Sequence, residues 1–126
     1  MHHQTGSILV LEDQPLIALD LEELLSGAGF DNLTLLSSCA EAESWLKSNR
    51  PDAAILDINL RDGECTEVAH ILAARSIPFI IHSGNLKAEA DSVFLRGTWI
   101  AKPAQPHALL TALHISLAAS EAARSD

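Results

Sequence analysis

The chain predicts an α/β fold, a mostly parallel sheet of five strands with helices on both faces. Three observations carry this. Short apolar runs at residues 8–11, 33–36, 53–58, 77–81 and 98–101 are bounded by turn residues and read as buried strands. Between and after them lie five segments whose apolar residues recur at helical spacing. The strict alternation of the two types favours parallel pairing through right-handed crossovers. At 126 residues and 48% hydrophobic composition, the chain has material for one domain with a real core.

The first strand, 8–11, stops at Glu12-Asp13. Pro15 then suits the first turn of a helix, where its missing N–H costs nothing, and Asp13 or Gln14 lies at the cap. Ile17, Leu21, Leu24, Leu25 and Ala28 form the apolar stripe of this helix, which Gly27 and Gly29 weaken and end. After strand two, Ser37 or Ser38 caps a helix from about Cys39 to Lys47, with Ala42, Trp45 and Leu46 inward. The cluster Asn49-Arg50-Pro51-Asp52 breaks the chain before strand three.

Strand three ends in Asp57 and passes into the polar turn Asn59, Arg61, Asp62, Gly63. A helix over 65–74 follows, with Val68, Ile71 and Leu72 on one face. Strand four, 77–81, is entered through Pro78 and closed by His82-Ser83-Gly84. Residues 87–95 form a brief helix with Ala88, Val93 and Phe94 as packing candidates, and Gly97 breaks it. Strand five, 98–101, ends in Lys102-Pro103. The last helix runs from His107, started by Gln105 or the turn around Pro106, to about Ala122, with Leu109, Leu110, Leu113, Leu117 and Ala118 apolar. The domain is expected over 7–120, with 1–6 a disordered leader or cloning remnant and 121–126 a frayed tail.

Composition narrows the function. The net charge is −9, with eight Lys plus Arg. Nucleic-acid backbone binding needs a basic footprint, so a direct nucleic-acid partner is disfavoured. A divalent cation or a basic protein surface is compatible with this charge. No apolar run approaches the roughly 20 residues that cross a bilayer, and the start MHHQTGS lacks the apolar core of a secretory signal. The two cysteines, Cys39 and Cys65, each stand beside a helix start and suggest neither a disulfide framework nor a Cys-rich zinc site. A reducing, cytoplasmic compartment is the simpler expectation.

Polar groups collect at the carboxyl ends of four strands: Glu12-Asp13, Asp57, Ser83 and Lys102. In a parallel sheet these ends share one rim, where open α/β sheets place their chemistry. Singly, each has an ordinary explanation as a cap, a turn or a surface lysine. Together they bring three carboxylates, a hydroxyl and an ammonium to one place. Three close carboxylates repel unless compensated, and a hard divalent cation such as Mg²⁺ resolves this with oxygen ligands and retained waters. Asp13 and Asp57 are the direct ligands in this reading, Glu12 acts through water, and the Asn59 carbonyl supplies a further oxygen. Asp57 is also a candidate nucleophile toward phosphorus, with Lys102 as point charge and Ser83 as hydrogen-bond donor to the phosphoryl oxygens. A cis Lys102-Pro103 bond would aim the lysine over the site. His82 is expected to point away by strand alternation, while His70, His107 and His114 form no zinc spacing. No glycine-rich phosphate cradle follows strand one.

On these residues the chain resembles the receiver domain of two-component response regulators: ILVLED with Glu12-Asp13, AILDINLRDG with Asp57, IIHSG with Ser83 and WIAKP with Lys102. The resemblance covers roughly residues 7–119. It implies a flavodoxin-like fold with strand order 2-1-3-4-5, Mg²⁺ as cofactor, and Asp57 as phosphoacceptor. It further implies Glu12-Asp13 as the acidic pair, Ser83 as switch hydroxyl, Lys102 as site lysine and Trp99 as switch aromatic. The phosphodonor would be a phosphohistidine on a histidine kinase or histidine phosphotransfer protein, the output a contact with a downstream protein, and the chain a monomer or weak dimer. It would not be an enzyme of the usual kind, but would take phosphate with Mg²⁺ and lose it slowly. Asn59 stands where many members carry a hydrophobic residue, and Trp99 replaces the usual Tyr or Phe. The segment from Ser83 to Lys102 is a few residues shorter than usual, and IPFIIHSG resembles the fourth strand of a stand-alone single-domain subgroup. Two other classes compete: a metal-dependent phosphatase or phosphotransferase for small molecules, and an interaction module that works without phosphorylation.

Overall fold

A computed structural model of the chain describes residues 4–84, 91–102 and 104–124. The order is β1 (Gln4–Leu11), α1 (Pro15–Gly27), β2 (Phe30–Leu36), α2 (Cys39–Leu46), β3 (Ala53–Leu56), β4 (Asn59–Leu60), β5 (Gly63–Glu64), α3 (Thr66–Ala74), β6 (Phe79–Ser83), a 3-10 turn (Ser92–Arg96), β7 (Thr98–Ala101) and α4 (Pro106–Arg124). The main sheet is parallel throughout, in the order β2-β1-β3-β6-β7. Because β6 and β7 are its fourth and fifth strands, this is the expected 2-1-3-4-5 order of the flavodoxin-like fold. The strand order reverses between β1 and β3, so the crevice at their carboxyl ends is the topological switch point.

The period-2 alternation of strand side chains divides the core in two. Leu9, Leu11, Ala54, Leu56 and Ile81 face Ala42 and Leu46 of α2 and Val68 and Leu72 of α3. Their neighbours Ile8, Val10, Ala53, Ile55 and Ile80 face Leu21 and Leu25 of α1 and Leu109 and Leu113 of α4. The central strands are apolar on both faces because both faces are covered. Phe30 is fully buried and stacks on His114, with ring centroids 5.7 Å apart. Ser38 caps α2, its hydroxyl accepting from the Glu41 N–H at 3.1 Å. Gln14 occupies the cap position of α1 without a side-chain bond.

Four expectations need correction. Strand β1 starts at Gln4, so residues 4–6 are not a disordered leader. Gln4 pairs with Phe30, and the register shift between Gln4 and Ser7 is absorbed near Gly6, whose φ of 122° lies where glycine is at ease. A polar segment pairing along one side carries no apolar run to betray it. At the other end α4 continues to Arg124, so residues 121–124 are helical rather than a frayed tail. Residues 1–3, 125 and 126 lie outside the described residues. Where a brief fourth helix was expected, the described part is the 3-10 turn, capped by Asp91 accepting from the Val93 N–H at 3.0 Å. Val93 and Phe94 are buried as expected, whereas residues 85–90, including Ala88, lie outside the described residues. Finally, a small antiparallel hairpin, β4 with β5, fills the turn after Asp57.

Candidate functional site

Glu12, Asp57 and Lys102 each stand one step beyond a strand yet remain tied to the sheet. The Glu12 N–H donates to the Leu36 carbonyl at 3.1 Å, the Asp57 N–H to Leu11 at 3.0 Å, and the Lys102 N–H to Ser83 at 3.0 Å. Leu11 pairs with Leu56, so the residues that follow, Glu12 and Asp57, emerge side by side. The parallel ladder therefore brings residues from three distant parts of the chain to one rim.

The ammonium of Lys102 lies 2.9 Å from Glu12 Oε1 and 2.8 Å from Asp57 Oδ2. The second oxygen of each carboxylate takes a backbone donor. Glu12 Oε2 accepts from the Gln14 N–H at 3.3 Å, and Asp57 Oδ1 from the Asn59 N–H at 3.2 Å. Glu12 and Asp57 are buried, and Asp13 is half-buried. Carboxylate oxygens of Glu12, Asp13 and Asp57 lie within 4.8 Å of one another.

Three carboxylates against one ammonium leave excess negative charge in a poorly hydrated place. Burial pushes the Glu12 carboxyl above its ordinary value, outweighing the pull of Lys102. Burial alone would lower the Lys102 ammonium, but its hydrogen bonds to Asp57 and Glu12 prevail and hold it above the ordinary lysine value. The donor set is all oxygen and all anionic, the chemistry of a hard divalent cation. The cluster is capable of coordinating one.

Of the residues singled out from the sequence, Glu12, Asp13, Asp57 and Lys102 meet. Ser83 ends the adjacent strand β6 and is 1% exposed. Asn59 is exposed and contributes its backbone N–H to Asp57. Trp99 lies on β7 opposite Ile81, half-buried, and packs against the core under α2 and α3. Pro103 lies outside the described residues, and with it the cis-bond expectation. His82 stands outside the acidic cluster. It lines a cavity of about 530 Å³ with Ile17, Leu21, Leu24, Lys102 and Leu109. Burial, and then nearby Lys102, hold its imidazole below the usual histidine value.

Two features went unread in the sequence. Asp62 caps α2 from outside, Oδ1 accepting from the Cys39 N–H at 2.8 Å and Oδ2 from the Ala40 N–H at 3.0 Å. Cys39 and Cys65 are joined by a disulfide, with Cα atoms 5.3 Å apart. This corrects the expectation that the cysteines form no bridge. A signal existed: both precede or begin consecutive helices on one sheet face, and in a parallel sheet those helix starts crowd the same rim.

The family model described as "Response regulator receiver domain" matches residues 8–114. The chain is 36% identical over 107 residues to the phyllosphere-induced regulator PhyR of Methylorubrum extorquens. That match takes in 79% of this chain and 39% of the regulator, so the chain spans well under half of that relative's length. The solution structure of SdrG from Sphingomonas melonis Fr1 is 37% identical, with a TM-score of 0.76, covering 93% of this chain and 99% of SdrG. A CheY-like receiver domain protein from Methanospirillum hungatei JF-1 shares the fold at a TM-score of 0.83 and 24% identity, over 94% of this chain and 98% of its own. The acidic cluster with its Lys102 ion pairs matches the phosphoacceptor and metal site of such domains, and fits phosphotransfer from histidine to aspartate. Autophosphorylation of that kind, rather than turnover of a substrate, is the chemistry the cluster suits. The chain belongs to the response regulator receiver domain family.

Proposed function

We propose that this chain takes a phosphoryl group from a phosphohistidine onto Asp57 and thereby switches a protein-binding surface. The observation that carries the reading is the position of Asp57, buried at the switch point, hydrogen-bonded to Lys102 and adjoining Glu12 and Asp13. An Asp57 oxygen attacks phosphorus as the P–N bond of the donor breaks, and the departing imidazole takes up a proton. Mg²⁺, held by Asp13 and Asp57 with Glu12 through water and the Asn59 carbonyl, would neutralise phosphoryl oxygen charge. Lys102 turns from the free carboxylate to a phosphoryl oxygen, and Ser83 donates a hydrogen bond to another. Movement of Ser83 and Trp99 relays the change to the surface.

The receiver unit in this reading takes in residues 7–120 together with the strand start at Gln4. The donor is a histidine kinase or histidine phosphotransfer protein, and the output is a protein contact, with the chain a monomer or weak dimer. The cytoplasm is the proposed location. Among the described residues no helix is long and apolar enough to cross a membrane.

Intact mass after incubation with acetyl phosphate and Mg²⁺ tests the proposal. One phosphate adduct on the wild type and none on D57N is expected. Equal labelling of D57N, or no adduct from several donors, would overturn it. Sustained turnover of small phosphomonoesters that D57N abolishes would favour a phosphatase instead.

A further inference from the structure

We propose that Cys39 and Cys65 form a reversible redox clamp on the loop that carries Asp57, and that closing it tightens divalent-cation binding. The inference rests on the cation site proposed above.

The loop from Asp57 to Cys65 is anchored to the sheet at one end, where Asp57 donates to Leu11. At the other end the Cys65 N–H donates to the Ile58 carbonyl at 3.1 Å, closing the β4–β5 hairpin. Cys65 thus lies against the residue that follows the acceptor. Within the loop, the Asn59 N–H orients Asp57 Oδ1. Any freedom of the hairpin therefore reaches the carboxylate that would hold the cation.

What restrains the hairpin is its attachment to the start of α2. Asp62 supplies two hydrogen bonds there. Arg61 and Glu41 approach to 3.6 Å, but both side chains are exposed and such a pair contributes little. The covalent link between Cys39 and Cys65 crosses the same junction. Its Cα separation of 5.3 Å is ordinary for a bridged pair, so the backbone accepts the bridge without rearrangement. With the bridge open, the Asp62 cap and the burial of Ile58 and Leu60 in the core remain, and the exposed part of the loop, residues 61–64, is held to α2 by Asp62 alone among its stronger contacts.

Disulfides in reducing compartments are usually transient and redox-sensing rather than structural. A low-molecular-weight disulfide serves as the oxidant. With glutathione disulfide as oxidant, the more exposed Cys39 attacks as thiolate and one glutathione thiolate leaves. Cys65, as thiolate, then attacks the Cys39 sulfur and expels the second. Two protein thiols become one disulfide, two electrons pass to the glutathione sulfurs, and two glutathione thiols result.

The test equilibrates the full chain in glutathione buffers of graded ratio, quenches by thiol alkylation and reads intact mass. Calorimetric titration with Mg²⁺ follows at the two extremes. Both states should be populated across the series, and the oxidised form should bind Mg²⁺ about five-fold more tightly. Full alkylation at every ratio, a bridge that no ratio opens, or equal Mg²⁺ behaviour in both forms would each overturn the clamp. C39S/C65S should match the reduced wild type and ignore the buffer. Should that variant fail to fold, the reduced wild type supplies the same comparison. Neither readout needs phosphate. Absence of an Asp57-dependent adduct in both redox states would sink the phosphoacceptor reading and leave the clamp result standing.

Discussion

The ammonium of Lys102 stands 2.8 Å from Asp57 Oδ2 although 45 residues separate them in the chain. The same nitrogen reaches Glu12 Oε1 at 2.9 Å. One cation thus serves two buried carboxylates from two strands, and it occupies oxygens that a metal ion would use. A metal ion bound there would compete with the lysine for these oxygens.

K102A separates these roles. Without the ammonium, buried Glu12 and Asp57 lose their counter-charge, and the fold should lose about 2 kcal/mol in urea denaturation with chelator present. This value is below the usual cost of breaking a buried pair because Lys102 is partly solvated. Mg²⁺ should bind more tightly to K102A, since its competitor is gone, while labelling by acetyl phosphate slows roughly 100-fold. Weaker Mg²⁺ binding in the variant would contradict the competition.

Cation binding should be visible as stability. At a free Mg²⁺ concentration about 100 times its dissociation constant, mass action adds about 2.7 kcal/mol. The melting temperature should rise accordingly and return on chelation. D13N removes the half-buried member of the cluster and should lose most of that rise. An unaltered Mg²⁺ response in D13N would remove Asp13 from the ligand set.

Asp62 links pH to the α2 junction. Its hydrogen bonds from the Cys39 and then the Ala40 N–H hold its carboxyl below the ordinary value of 3.8. A depressed carboxyl pKa contributes stability that is complete above the ordinary value and is lost as pH falls through the folded one. D62A should therefore melt below the wild type at pH 7, with the gap closing in strong acid. A gap that widens on acidification would reverse the assignment.

Gly97 is required for space rather than conformation. Its φ of −96° suits any residue, but a Cβ there would stand 2.5 Å from Phe79 Cδ2 and 2.7 Å from the Phe79 carbonyl oxygen. The ring can shift, the backbone oxygen far less. G97A should cost about 1–3 kcal/mol by overpacking, read from denaturant midpoints at constant slope. A neutral G97A would show that the turn and β6 separate freely.

Much of the site was legible because strand ends in a parallel sheet must share a rim. With residues 8–11, 53–58, 77–81 and 98–101 as strands, Glu12, Asp57, Ser83 and Lys102 have to gather there. The start of β1 was not legible, because Gln4, Thr5 and Gly6 are polar or small, and the pairing of Gln4 with Phe30 across the register shift leaves no hydrophobic period in that segment. The β4–β5 hairpin escaped for the same reason: two-residue strands have no period to read.

By itself the sequence determined the layered α/β architecture, the five strands of its main sheet and the membership of the acidic cluster. Those follow from local hydrophobic period and from the topology that period implies. Tertiary structure alone decided that Lys102 bridges Glu12 and Asp57, that Asp62 caps a helix beginning 23 residues before it, and that Cys39 meets Cys65. Contacts of this kind depend on distances of a few ångströms between loops that no periodic pattern constrains, and only the packed sheet with its helices sets those distances.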